Sequence, residues 1–274
     1  MGLLGRKARH MLIIGERINT SRKSIALAVS SKDTAFLQDE ARAQAAAGAE
    51  YIDVNAGTFM DDEAERLTWL VDLVQEAVDL PLCIDSPNPA VIKSVLPTLG
   101  KRAMINSITL EPSRLEGILP LVIEYKAKVI VLCQSEKKVA DTVDQKVQMA
   151  GEFVEKVRNA GVSLEDLYID PLVYPLATNF RSALASLGAI EQIMTAFPGV
   201  HTTCGLTNVS YGLPVRKLVN STFLVAAIAR GLDSAILDPT DKRLYSALRA
   251  ALLIAGKDPN SVGYIGAFRE HRIE

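Results

Sequence analysis

Short apolar runs alternate with longer stretches in which apolar residues return every three or four positions, and this continues without a break from residue 11 to residue 255. The short runs predict eight strands, at residues 11–16, 51–54, 82–84, 103–105, 129–132, 167–169, 201–205 and 234–237. The apolar residues of the first, MLIIGE, are nearly continuous, the pattern of a buried strand. The longer stretches predict helices at residues 33–47, 61–78, 89–99, 112–125, 142–159, 181–197, 216–230 and 242–255. Within residues 61–78, Leu67, Leu70, Val71 and Val74 stand at i, i+3, i+4 and i+7, one face of a helix. Asp33 has the position of an N-cap, and Pro89 that of a first-turn proline. Gly48, Gly161, Pro198–Gly199 and Gly231 supply stops. Residues 256–274 show no clear period.

About eight strand–helix units of roughly 30 residues each predict an α/β fold with a parallel sheet and right-handed crossovers. Their number and total length fit a closed (β/α)8 TIM barrel. The expectation is a single domain over residues 1–274 with its core at about 11–255. A doubly wound open sheet is the alternative, but the GxGxxG turn that often marks it is absent.

Composition narrows the partners. Thirty basic against 32 acidic residues give a formal charge of -2, so nothing in the charge favours nucleic acid or an anionic membrane. No apolar run approaches the roughly 20 residues of a membrane span. The opening MGLLGRKARH has too short an apolar piece for a secretory signal, and Arg6 breaks the myristoylation pattern. Cys83, Cys133 and Cys204 stand far apart, which predicts a reducing, cytoplasmic setting without a disulfide framework. The Asn-x-Ser/Thr matches at Asn19, Asn208 and Asn220 then carry no glycosylation meaning.

In such barrels chemistry sits at the C-terminal strand ends. The residues there are Glu16 and Asn19, Asn55, Asp85, Asn106, Gln134, Asp170, Asn208 and Asp238. Asp and Asn also follow strands for a plain reason, since they cap helices and form turns. The residue types limit the reaction. The histidines are His10, His201 and His271, two near the termini and one at a strand start, so a dedicated metal site is not expected. No GxSxG elbow, Walker loop or strand-end lysine occurs. Cys83 and Cys133 fall inside strands, as small buried residues do. Uncharged amides and a few carboxylates remain, a set suited to a planar, nitrogen-rich heterocycle.

Six segments carry a resemblance: LIIGERIN (12–19), DVNAG (53–57), LCIDS (82–86), RAMINS (102–107), DLYIDPL (166–172) and GLTNVS (205–210). In this order, at successive strand ends, they resemble the methyltetrahydrofolate:corrinoid protein methyltransferases. These share a pterin-binding barrel with dihydropteroate synthase and with the folate domain of cobalamin-dependent methionine synthase. The resemblance spans about residues 11–255. It implies that Asp85 holds the pterin ring, with Asn106 and Asp170 on the pyrimidine side, and that Asn208 reaches the nitrogen bearing the methyl group. Gly205 and Ser210 belong to the Asn208 loop, Arg216 aligns with an arginine near the pocket, and Glu16, Asn19, Asp53 and Asn55 complete its floor. Tyr211, placed with the pterin-binding set, stands where the family has a shorter amide, and Thr207 where it has Ser.

The implied reaction moves a methyl group between tetrahydrofolate and the cobalt of a separate corrinoid protein, in a direction the residues do not fix. A tertiary amine leaves poorly unless its nitrogen is protonated or hydrogen-bonded as charge develops. Asn208 is the expected donor, with Asp85 the other residue expected to serve catalysis and the proton coming from solvent. No Asp-x-His-x-x-Gly motif is present, so the cobalamin is expected on the partner, docked over the barrel mouth. No metal is expected on this chain. The family also implies a homodimer. Two readings compete. A dihydropteroate synthase-like condensing enzyme would need later cationic loops, but Arg216 and Lys217 come on a helix instead of in a Ser-Arg-Lys loop, and the EHRIE tail gives only a weak echo. A folate-binding subunit without turnover would not need Asp85, Asn106, Asp170 and Asn208 intact.

Overall fold

The computed structural model describes residues 11–135 and 140–274; the opening stretch with Arg6 and His10 lies outside the described residues. Eight strands form one parallel sheet: β1 (Leu12–Asn19), β2 (Tyr51–Asn55), β3 (Leu82–Asp85), β4 (Met104–Ile108), β5 (Lys128–Leu132), β6 (Leu167–Asp170), β7 (His201–Thr202) and β8 (Ser234–Leu237). Their spatial order is β7-β6-β5-β4-β3-β2-β1-β8. The last seam closes at one point, a parallel bridge of Gly205 with Ile236, where Ile236 N donates to Cys204 O at 3.0 Å. The result is a nearly closed (β/α)8 barrel.

Each strand has two different faces. Outward residues such as Ile52, Val54, Ile84, Ile105, Val129 and Ile169 join the large core beneath the helices. Inward residues Ile14, Tyr51, Cys83, Met104, Ile130 and Tyr168 form a separate core inside the barrel, flanked by Leu12, Leu132 and Ile236. The interior is therefore plugged, and only its C-terminal end is open to chemistry. At the opposite end Lys128 Nζ donates to Tyr168 Oη at 2.8 Å, and His201 stacks on Tyr168 with centroids 4.6 Å apart. His201 thus lies far from the strand ends, at the start of β7, with Nδ1 2.9 Å from Asp233 Oδ2.

The helices are α1 (Lys23–Ser31), α2 (Thr34–Ala46), α3 (Glu63–Ala77), α4 (Pro89–Val95), α5 (Pro112–Glu124), α6 (Val143–Asn159), α7 (Ser182–Ala196), α8 (Arg216–Ala229), α9 (Lys242–Ile254) and α10 (Val262–Arg269). Asp33 caps α2 by accepting from Phe36 N, Thr142 caps α6 through Gln145 N, and Asp241 caps α9 through Arg243 N and Leu244 N. Two helices were not expected. The nine-residue α1 buries Ile25, Ala28 and Val29 but has no side-chain cap, so its sequence shows barely two turns of pattern. Of the α10 residues only Ala267 is buried, which leaves no stripe to read. The pattern also extends the seventh strand to Gly205, whereas β7 ends at Thr202. Cys204 has by then left β6 to meet β8, and the chain enters a 3-10 turn, Leu206–Ser210.

Candidate active site

Because strand side chains alternate, the residue two positions past each inward core residue also points inward, one layer higher. That step leads from Ile14 to Glu16, Tyr51 to Asp53, Cys83 to Asp85, Met104 to Asn106, Tyr168 to Asp170 and Ile236 to Asp238. All six of these polar residues line one cavity of about 870 Å³ at the C-terminal end of the barrel. Two irregularities add residues to it. β1 changes register between Gly15 and Ile18, so Glu16 and Asn19 both reach the cavity despite their odd spacing. There the Arg17 N–H donates to Gln44 Oε1 at 2.9 Å. Gly15 is required for this approach, since a Cβ would lie 2.4 Å from that oxygen. A similar shift between Asn106 and Ile108 lets the consecutive Asn106 and Ser107 both line the wall.

The carboxylates are held in a hydrogen-bonded lattice. Asn106 Nδ2 donates to Asp53 Oδ1 at 3.1 Å, and Asn55 Nδ2 donates to Asp85 Oδ2 at 3.0 Å. Asp170 Oδ1 accepts from Leu172 N at 2.7 Å and its Oδ2 from Gly205 N at 3.3 Å, which ties the end of β6 to the turn after β7. Arg22 pairs with Glu16 at 3.0 Å, and Thr207 Oγ1 donates to the other Glu16 oxygen at 3.3 Å. Removal from water dominates the electrostatics. Burial pushes Asp85 and Asp170 up to about 6. Asp53 rises well above the usual carboxylate range, through burial first and the Asp85 charge second. Glu16 is raised by burial against the lowering pull of Arg22.

The turn after β7 supplies the opposite wall. Gly205, Thr207, Asn208, Tyr211 and Arg216 line the cavity. Asn208 is exposed and its carboxamide makes no hydrogen bond among the described residues. Gly205 leaves it room, since a Cβ there would come within 3.0 Å of Asn208 Nδ2. Arg216 braces the turn through Nε to Ser210 Oγ at 3.1 Å and Nη2 to Thr207 O at 2.8 Å, and its guanidinium lies over the Tyr211 ring at 5.6 Å. Of the expected site residues, Asn55 and Ser210 do not line the cavity. Asn55 stands behind Asp85 and buried Ser210 behind the turn, each holding a residue that does.

Besides Arg22, the side chains missed in the sequence that support or line this site include Lys146, Arg114 and Asn220. Lys146, 1% exposed, donates from Nζ to Pro171 O at 2.5 Å and Leu172 O at 2.9 Å, fixing the loop that follows Asp170. Its signal was legible, a lysine on the apolar stripe of Met149, Ala150, Phe153, Val154 and Val157. Arg114 on α5 donates to Pro87 O and, at 2.5 Å, to Ser107 O, joining the loops after β3 and β4. Asn220, one turn into α8, lines the cavity directly.

Residues 15–238 match the family model described as pterin binding enzyme. The chain belongs to the pterin-binding enzyme family. This pterin-binding enzyme is 38% identical to the methylcorrinoid:tetrahydrofolate methyltransferase of Eubacterium limosum, over 96% of this chain and 98% of that protein. It is 32% identical to methionine synthase of Mycobacterium tuberculosis over 83% of this chain and 20% of that protein. Among solved structures, dihydropteroate synthase of Yersinia pestis superposes with a TM-score of 0.67 at 17% identity, covering 91% of this chain and 95% of that one. That of Xanthomonas albilineans, with 4-aminobenzoic acid, gives 0.68 at 18% identity, covering 91% and 93%. At such identities these last two show the fold.

Proposed function

We propose that this pterin-binding enzyme is a methyltransferase that moves a methyl group between tetrahydrofolate and the cobalt of a separate corrinoid protein. The observation that carries the reading is the convergence, on one cavity, of Asp85, Asn106 and Asp170 with a carboxamide, Asn208, that makes no hydrogen bond among the described residues. Carboxylates and an amide match the amino-pyrimidine edge of a pterin, with Asp85 and Asp170 ionised to accept its N–H donors. Asn208 then hydrogen-bonds the methyl-bearing nitrogen. As the methyl leaves for cobalt, negative charge grows on that nitrogen and the Asn208 N–H stabilises it. In the other direction the nitrogen lone pair would attack the methyl, the pair of the broken cobalt–carbon bond would stay with the cobalt, and the nitrogen would release its own proton to solvent. A bond that strengthens only in the transition state raises kcat. The name of the Eubacterium limosum relative runs from methylcorrinoid to tetrahydrofolate, and that direction is the one proposed here.

The corrinoid partner docks at the barrel mouth, where Tyr211 and Val215 are 66% and 73% exposed. The same reading places the chain in the cytoplasm, with its three cysteines buried and free, and pairs it as a homodimer through exposed apolar residues such as Leu184 and Leu218. The test is methyl transfer assayed with purified chain, tetrahydrofolate and methylcobalamin, and in reverse with methyltetrahydrofolate and free Co(I) cobalamin. Product in either assay supports the reading. Folate binding without transfer under both conditions supports a carrier, and consumption of a pterin pyrophosphate a condensing enzyme.

A further inference from the structure

Asn106 meets the cavity with an amide whose two ends have almost the same shape and opposite chemistry, one a pair of N–H donors and the other an acceptor. Which end a ligand meets is decided by which end the protein takes. Asn106 Nδ2 is taken by Asp53 Oδ1 at 3.1 Å, and Asn106 Oδ1 has no partner among the described residues. The carbonyl is therefore the end left for a ligand. With it, Asp85, Asn106 and Asp170 present acceptors to the cavity from the ends of β3, β4 and β6.

Asp53 is a costly support for one amide. It is 2% exposed on β2, and its bond to Asn106 on β4 reaches across β3. Its pairing neighbour on β3 is the small Cys83, whose thiol hydrogen-bonds the same carboxyl. Among the described residues no backbone N–H donates to Asp53. Burial and the Asp85 charge both disfavour its ionised form. The bond to Asn106 holds in either form, because a neutral acid with its proton on Oδ2 keeps acceptor lone pairs on Oδ1. A carboxyl buried beside a second one, with an amide and a thiol for support, stabilises the fold less than an apolar side chain of similar size would. Its use lies in the site.

We propose that Asp53 is a positioning residue that acts through Asn106, turning the amide so that its carbonyl accepts an N–H of the bound heterocycle. The inference rests on the pterin reading of the same cavity. A pterin brings N–H donors to the carboxylates of Asp85 and Asp170. An Asn106 amide turned the other way would set its own N–H against another donor. Asp53 thus makes this wall selective for an N–H-bearing edge without touching the ligand.

Calorimetric titration of the full chain with methyltetrahydrofolate tests this, at about pH 8, where Asp85 and Asp170 are ionised whatever stands at position 53. Asp53→Leu is expected to weaken binding about three- to tenfold, the usual worth of one neutral hydrogen bond. Its Tm should hold or rise, because a buried carboxyl has gone. Asp53→Asn keeps a carbonyl for Asn106 and should recover most of the affinity. Asn106→Ala should weaken binding by a similar factor. Adding Asp53→Leu to it should cost nothing further, as two residues acting on one contact require. Additive losses in the double variant, or unchanged affinity in Asp53→Leu, would overturn the proposal. So would an Asp53→Asn as weak as Asp53→Leu, which would mean that the charge matters and the acceptor does not. If the wild-type chain failed to bind methyltetrahydrofolate at all, the pterin reading would fail and take this one with it.

Discussion

Asn208 and Asp85 lie in one cavity but in opposite circumstances, and substitution should separate their roles. Asp85 is half-buried at the cavity wall, accepts from Asn55 and sits among other carboxylates, so its task is to hold a ligand. Asn208 is exposed and its carboxamide has no partner among the described residues, so it can respond to charge that develops during reaction. Asn208→Ala is expected to lower kcat by about 10²-fold or more, the loss of one transition-state donor of roughly 2.7–4 kcal/mol, while methyltetrahydrofolate affinity changes little. Asp85→Ala should instead weaken binding itself. Titration beside single-turnover transfer separates the two effects, and wild-type turnover by Asn208→Ala would end the assignment. Gly205 gives a gentler probe of the same contact. Its substitution by Ala presses on the movable end of Asn208 rather than on backbone. Gly205→Ala should therefore slow transfer several-fold with little change in Tm; an unaltered rate would mean that the carboxamide position is not critical.

The elements explain why much of this site was legible and why some was not. A period of two runs through six of the inward strand faces, so an apolar residue inside the barrel announces the polar one above it, as Tyr168 does for Asp170 and Cys83 for Asp85, whereas on β5 Ile130 is followed by Leu132. That relation needs only local sequence. What stayed hidden depends on distant pairing. The early end of β7 follows from Cys204 choosing β8 over β6. Asn55 looked equivalent to Asp85 in the strand-end series, yet it turns sideways to hold its neighbour. Asn220 is a helix residue, and only the placement of α8 over the cavity gives it a part. Lys146 shows how a neighbouring helix controls a strand end. Its ammonium holds the two carbonyls that follow Asp170, and burial lowers its pKa. Lys146→Met would leave those carbonyls without a donor and free the loop. We expect a loss of about 2 kcal/mol in denaturant unfolding and weaker methyltetrahydrofolate binding. Unchanged affinity in a destabilised variant would reduce Lys146 to a purely structural tie.

For the whole molecule the buried carboxylates make stability and ligand binding answer to pH in opposite senses. In the folded chain Asp85 and Asp170 titrate at about 6, against an ordinary value of 3.8. The folded state therefore binds more protons than the unfolded state between about pH 4 and 6. In that window the stability these groups contribute is fully present at the acid end and is lost as pH rises, levelling off above about 6. A pterin that donates N–H bonds needs them ionised, so its affinity must climb over pH 5 to 7, while the free protein loses the rest of that stability and then levels off. Take methyltetrahydrofolate at about 100 times its Kd at pH 7. Binding then adds about 2.7 kcal/mol, and Tm should rise by roughly 5–10 °C for a chain of this size. At pH 5 two groups with pKa near 6 must each give up a proton, which costs about tenfold in affinity apiece. The same concentration then lies near Kd, the gain falls to about 0.4 kcal/mol, and the shift falls to about 1 °C. Thermal melts with and without ligand at the two pH values measure this directly. A ligand-induced shift of equal size at both would show that Asp85 and Asp170 do not meet the pterin as carboxylates, whatever else in the cavity binds it.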